Sequence, residues 1–194
     1  MSTNTVKHQI LLVAALCTSV IWSSAHAQDN RVDELVVAPT KAHDVEQIEI
    51  QIGDDVFIAD LLWEKAPKTA AAIVSILPYE GVTYHQFWSG QGLQVHDETL
   101  KKMSRDHGLW PNSDFPDYSE NPWIYGAPGE VGFYVVGYGL FLTYGKARFF
   151  GPPEGVEPTY IFAKIHENLE RFEELGREIG RRGQKKISMR AHKP

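Results

Sequence analysis

The chain has 194 residues, a single cysteine and a formal net charge of −6. That cysteine, Cys17, lies in an N-terminal apolar run, which leaves the rest of the chain without thiol catalysis, cysteine-based zinc binding or redox exchange. The acidic balance, with no basic stretch interleaved with aromatics, argues against nucleic acid as a partner.

Residues 1–27 read as a secretory signal peptide. Lys7 precedes the apolar run ILLVAALCTSVIW, and Ala25-His26-Ala27 supplies the small-x-small cleavage pattern before Gln28. The run is about thirteen residues, short of the roughly 20 that span a bilayer. Leu16 stands where a lipoprotein signal needs a small residue. The expected mature chain has 167 residues (194 less 27) and a charge of −7, from 18 basic and 25 acidic residues. Its expected destination is periplasmic or secreted, with no membrane association after cleavage. Residues 28–44 form a loosely held leader, and residues 45–194 make one domain.

Alternation of apolar residues makes VEQIEIQI and VFIADLLW a β-hairpin about the turn Gly53-Asp54-Asp55. KAPKTAAAIVSILP follows as a helix of about three turns, with Pro67 near its start and Pro78 as its stop. VTYHQFW and LQVHDE form two strands around Ser89-Gly90-Gln91-Gly92. Residues 99–128 show no periodicity and carry Trp110, Pro111, Pro116, Pro122, Trp123, Tyr125 and Pro128, which suggests a covering loop. GEVGFYVVGYGLFLTYGKARFFG and TYIFAKI add short strands. Leu169, Phe172, Leu175 and Ile179 mark a second helix, and KKISMR closes as a strand. The sum is a mainly β domain with two helices, a closed barrel.

The hairpin YHQFWSGQGLQVHDE concentrates the reactive side chains. Strand alternation places Thr83, His85 and Phe87 on one face, and Tyr84, Gln86 and Trp88 on the other. It also sets Gln94, His96 and Glu98 side by side, so one face gathers an imidazole, a carboxylate and an amide. That set suits acid–base work, because histidine titrates near neutrality and a desolvated glutamate can be raised towards it. Each residue also has a plainer reading: His85 as a hydrogen-bonded core residue, His96 and Glu98 as solvated strand residues, Trp88 as packing, Arg148 as a surface ion-pair partner. His85, His96, Asp97, Glu98 and His107 lack metal-ligand spacing, so neither metal nor cofactor is expected.

The order of elements resembles the cyclophilin superfamily. Ala66-Pro67-Lys68-Thr69 matches that family's helix start, and Tyr84-His85-Gln86 occupies its Phe-His-Arg position. Gly90, Leu93 and Gln94 fall on its glycine, aliphatic residue and glutamine. Pro128-Gly129 and Ile161-Phe162-Ala163-Lys164-Ile165 resemble its later strands. The resemblance implies a cyclophilin-like closed β-barrel, but not prolyl isomerisation. The family's arginine is Gln86 here, and its apolar pocket positions are Gln91, Gly92, Glu154 and Thr159.

The signature His85-x-x-Trp88-Ser89-Gly90 resembles instead a bacterial branch of small cyclophilin-like proteins, with kinship to cyclophilin-fold Pictet–Spenglerases. That kinship implies a cofactor-independent condensation of an aromatic amino acid or amine with an oxo-compound. Glu98 or His96 would be the base and His85 the acid or orienting group. Tyr84, Phe87 and Trp88 would stack on the substrate, Gln86 and Gln94 would line the pocket, and Arg148 with Lys146 would hold a carboxylate. The alternative is a non-catalytic small-molecule receptor. Both readings expect a small-molecule partner and allow a homodimer.

Overall fold

The computed structural model describes residues 43–109, 120–151, 155–156 and 158–193. The expected signal peptide, nearly all of the expected leader, Trp110, Pro111, Pro116 and Glu154 lie outside the described residues.

Strands β1 (Gln47–Ile52) and β2 (Asp55–Leu61) form the expected hairpin, with Gly53 at φ +61° taking the left-handed turn position. Helix α1 (Pro67–Ser75) follows, then β3 (Tyr79–His85) and β4 (Gly90–His96). A helix the sequence reading missed, α2 (Glu98–Asp106), begins immediately after β4. The short strands β5 (Pro122–Trp123) and β6 (Tyr125–Gly126) precede β7 (Glu130–Tyr134) and β8 (Gly139–Arg148). The pair β9 (Phe150–Gly151) and β10 (Gly155–Val156) leads into β11 (Thr159–Ile165), α3 (Leu169–Arg182) and β12 (Lys185–His192).

Eight of these strands pair antiparallel in the ring β2-β1-β12-β3-β4-β8-β7-β11. The ring closes where Ala163, Lys164 and Ile165 of β11 face Leu61, Asp60 and Ala59 of β2. This is the cyclophilin-like barrel implied by the motifs. Closure removes both sheet edges, and a ring of this size is filled by its own side chains. Ile48, Ile50, Phe57, Leu93, Val95, Phe133, Leu142 and Phe162 fill it, each fully or almost fully buried. Helix α3 places Phe172, Leu175 and Ile179 on the same core, with the Phe172 and Phe57 rings 5.0 Å apart.

Two polar clamps fasten helices to this frame. The Arg171 guanidinium on α3 donates to both Asp55 oxygens at 2.8 Å, and also to Glu178 at 3.0 Å. The other clamp serves α1, whose N-cap Ala66 has no side chain to offer the helix. Glu120, 5% exposed and 51 residues away, accepts from the Thr69 amide at 3.0 Å instead. A carboxylate there satisfies an otherwise orphaned donor and complements the positive end of the helix.

Both clamps are testable. Glu120→Ala strands the Thr69 N–H and is expected to cost about 1–2 kcal/mol in denaturant unfolding, with Glu120→Gln costing less because its amide oxygen still accepts. The Arg171 hydrogen bond is the first cause that holds Asp55 below its ordinary value of 3.8. Its folded value therefore lies beneath its unfolded one, and the stabilisation is complete above about pH 4 and lost as pH falls through the folded value. The melting-temperature gap between wild type and Arg171→Ala should accordingly be widest near neutrality and narrow below pH 4.

Candidate functional site

The candidate residues are distributed by the parity of β4. Leu93 and Val95 are wholly buried in the barrel, so Gln94 and His96 project from its outer face. Register extends that face sideways: Tyr84 of β3 lies opposite Gln94, Phe141 and Gly139 of β8 lie opposite Gln94 and His96, and Gly132 and Tyr134 of β7 follow.

His96 sits at the centre of this surface. Its Nδ1 is 2.7 Å from the Gly137 carbonyl oxygen, which can only accept, so Nδ1 carries the proton and donates. In the neutral ring Nε2 then keeps the lone pair. Burial pushes the His96 pKa below 6.5, against smaller upward effects from the Gly137 bond and Asp97, so the neutral form prevails at pH 7. The Tyr84 ring stacks 6.2 Å from the imidazole, and the Tyr134 ring meets it edge-on at 6.4 Å. Burial raises the Tyr84 pKa, which keeps its hydroxyl protonated. Two glycines make the seat: a Cβ on Gly139 would lie 2.6 Å from the His96 ring, and one on Gly137 would lie 2.2 Å from the Tyr134 ring and 3.0 Å from His96. This is a proton acceptor with a fixed tautomer, flanked by two aromatic walls.

The remaining expected site residues lie elsewhere. Glu98 is not on β4. The strand ends at His96, Asp97 accepts from the Leu100 amide at 2.9 Å as helix N-cap, and Glu98 opens α2. Its side chain is 88% exposed and paired with Lys101. His85 pairs with Leu93 and so belongs to the inner face. Its Nε2 lies 2.7 Å from the Tyr144 hydroxyl, and α3 covers both rings through Gly176 against Tyr144 and Gly180 against His85. The two imidazoles therefore occupy opposite faces of one sheet. Gln86 is buried, and its Oε1 accepts from the Trp88 amide at 3.1 Å, so it braces the turn. Trp88 and Arg148 are exposed at the far end of β4, about 20 Å from His96 at the usual rise per residue. Among the expected residues, only Tyr84 and Gln94 join His96 on this outer face of the sheet, and Gln94 is itself buried there.

The positions where the resemblance would need an apolar pocket are also filled. Gln91 Oε1 accepts from the Lys146 amide at 2.9 Å, and the Phe141 ring packs against Gly92, where a Cβ would come within 2.1 Å of it. Phe141, Ala147, Phe149 and Ile161 form a small outer core there. Thr159 is buried beside it, paired with Trp123 and Tyr134. Among the described residues no three His, Cys, Asp or Glu side chains converge as a metal requires.

Sequence reading missed Tyr134, Gly137 and Gly139, because the turn that carries them lies some forty residues beyond His96. A methyl group on Gly139 overpacks the imidazole seat. Gly139→Ala is expected to cost about 1–3 kcal/mol and to shift the His96 ring resonances and titration in NMR, with the His85 signals unmoved.

Comparison with solved structures gives a match to the structure of McbB in complex with tryptophan, at 19% identity and a TM-score of 0.57, covering 76% of this chain and 45% of that one. The chain thus spans less than half of that structure's length, and a likeness at this identity establishes a shared fold. The hypothetical protein AF2241 from Archaeoglobus fulgidus matches at 14% identity over 76% of this chain and 95% of that one, with a TM-score of 0.48. Cyclophilin AquaCyp293 from Hirschia baltica matches at 14% identity over 66% of each chain, with a TM-score of 0.41. No curated protein matches the sequence. Residues 48–191 match the family described as protein of unknown function DUF3830, and the chain belongs to that family.

Proposed function

We propose that the chain binds a small aromatic or carboxylate-bearing metabolite on the outer face of β3, β4, β8 and β7, and that His96 accepts a proton from it. The observation that carries this reading is the His96–Gly137 hydrogen bond, which leaves the lone pair on Nε2 of an imidazole neighboured by the Tyr84 and Tyr134 rings. Its sharpest form is a Pictet–Spengler-type condensation of an aromatic amino acid or amine with an oxo-compound. Nε2 would remove the proton whose loss restores aromaticity after ring closure. Tyr84 and Tyr134 would sandwich the ring system, and the protonated Tyr84 hydroxyl would orient the substrate. The barrel shared with McbB, solved with tryptophan, is compatible with such a ligand.

A second reading, a non-catalytic receptor, is favoured by one observation. Glu98 is in solvent, His85 is on the inner face, and the neighbouring Asp97 carboxylate is engaged by the Leu100 amide and the Tyr79 hydroxyl, so neither expected acid–base partner joins His96. In either reading the N-terminal segment supports export, and the intact mass of the periplasmic protein should then begin at Gln28.

The deciding experiment incubates the protein with tryptophan or histidine plus an aldehyde or α-oxo acid, and follows mass and thermal shift together. A cyclised product lost by about a hundredfold in His96→Gln, with ligand-induced stabilisation retained, supports the enzyme. A stabilising ligand recovered unchanged supports the receptor. Indifference of both signals to His96→Gln refutes the placement of the site. Isomerisation of proline peptides should proceed at its uncatalysed rate throughout, since Gln86 is engaged in the turn and Phe141 covers Gly92.

A further inference from the structure

The end of the barrel remote from His96 carries an unusual surface. Phe87 is 81% exposed, Trp88 63%, Tyr125 59% and Trp123 55%. Phe150 and Ile124 are exposed beside them. These side chains belong to one patch because their backbones are stitched together. Ser89 O accepts from the Arg148 amide at 2.9 Å, and Ser89 Oγ donates to Phe150 O at 2.9 Å and accepts from its amide at 3.1 Å. Tyr125 pairs with Arg148, and the Phe149 amide donates to Ile124 O at 2.9 Å.

Cations surround this patch. Lys146 and Arg148 are exposed on the same strand end. Gly180 rests on the His85 ring, whose neighbour is the Phe87 ring at 5.7 Å, so the last turn of α3 brings Arg181 and Arg182 to this end as well. Among the described residues no carboxylate pairs with Lys146, Arg148 or Arg181. A chain of net charge −6 thus places exposed positive charge beside its most exposed aromatics.

We propose that this end docks peripherally on an anionic phospholipid surface. Phe87 and Trp88 stand on the bend between β3 and β4, so they project from the barrel end and would enter the headgroup layer first. Trp and Tyr favour that layer because one part of each ring is apolar and another polar. Lys and Arg add attraction to acidic headgroups within a Debye length. The charge complementarity selects a lipid surface over a protein face, whose central residues are usually depleted in lysine. No described helix is long and apolar enough to cross a membrane. This proposal departs from the expectation of no membrane association after signal cleavage. It is independent of the His96 site at the other end of β4.

The test is flotation of the full chain with vesicles of phosphatidylethanolamine and phosphatidylglycerol, against vesicles of phosphatidylcholine alone. The comparison is between variants, so the N-terminal apolar run contributes equally throughout. The expected result is preferential binding to the anionic vesicles, weakened by 0.5 M salt. Phe87→Ser with Trp88→Ser should lower the partition constant by roughly tenfold or more, and each of Lys146→Gln and Arg148→Gln by about fivefold. Unchanged circular dichroism and melting temperature would show these exposed substitutions leave the fold intact. Equal binding by wild type and the Phe87/Trp88 double variant overturns the proposal, as does wild-type indifference to lipid charge. Self-association abolished by the double variant, without such a loss on vesicles, would assign the patch to a second copy of the chain and equally overturn it.

Discussion

Closing eight strands into a ring fixes which way every side chain of β4 points. Leu93 and Val95 fill the interior beside Leu142 and Leu140, and a one-residue slip would exchange them for Gln94 and His96. Burying an amide and an imidazole in an apolar barrel without partners would cost several kcal/mol, so that register has no competitor. The outward placement of His96 is therefore a consequence of core packing. So is the inward placement of His85, whose neighbour across the pair is Leu93. The barrel separates the two imidazoles by the same parity that makes it stable.

Within that constraint, local hydrogen bonding decides what His96 can do. The turn between β7 and β8 offers the Gly137 carbonyl to Nδ1, and Gly139 leaves room for the ring to lie against the sheet. Asp97 then ends the strand, because its carboxylate caps α2 and also receives the Tyr79 hydroxyl. Desolvation and that bond to Asp97 raise the Tyr79 pKa far above its ordinary value. The tyrosine stays neutral, and the cap is anchored from below. One residue of capping geometry thus removes Glu98 from the imidazole's surface and leaves His96 bounded by aromatics.

The parts legible in sequence are those governed by local periodicity. Ile48, Ile50 and Ile52 alternate as a strand must, and Phe172, Leu175 and Ile179 recur as a helix face must, so both are visible without knowledge of their partners. Helix α2 was hidden because it has only two large apolar residues, Leu100 and Met103, and the capping Asp97 reads equally as a strand residue. The hairpin faces were read correctly for Tyr84, Gln94 and His96, and incorrectly for Glu98, since alternation continues on paper past the cap that stops it. Tyr134, Gly137 and Gly139 could not have been found from spacing: they meet His96 only through the β4–β8 register.

The two ends of β4 consequently serve different physics. At its C-terminal end, the imidazole is half-buried, held by one carbonyl and deprived of charge by desolvation, conditions that favour a neutral proton acceptor. At its N-terminal end, the chain tolerates aromatics in open water beside exposed cations. Tolerating that exposure gives the folded domain nothing by itself, because Phe87 and Trp88 bury little when the barrel forms. Gly90 at φ +88° shapes the bend that holds them there, and a Cβ on it would lie 2.8 Å from the Lys146 carbonyl oxygen. A bend that only glycine fits comfortably, supporting side chains the core does not use, makes sense when those side chains act on something outside the barrel.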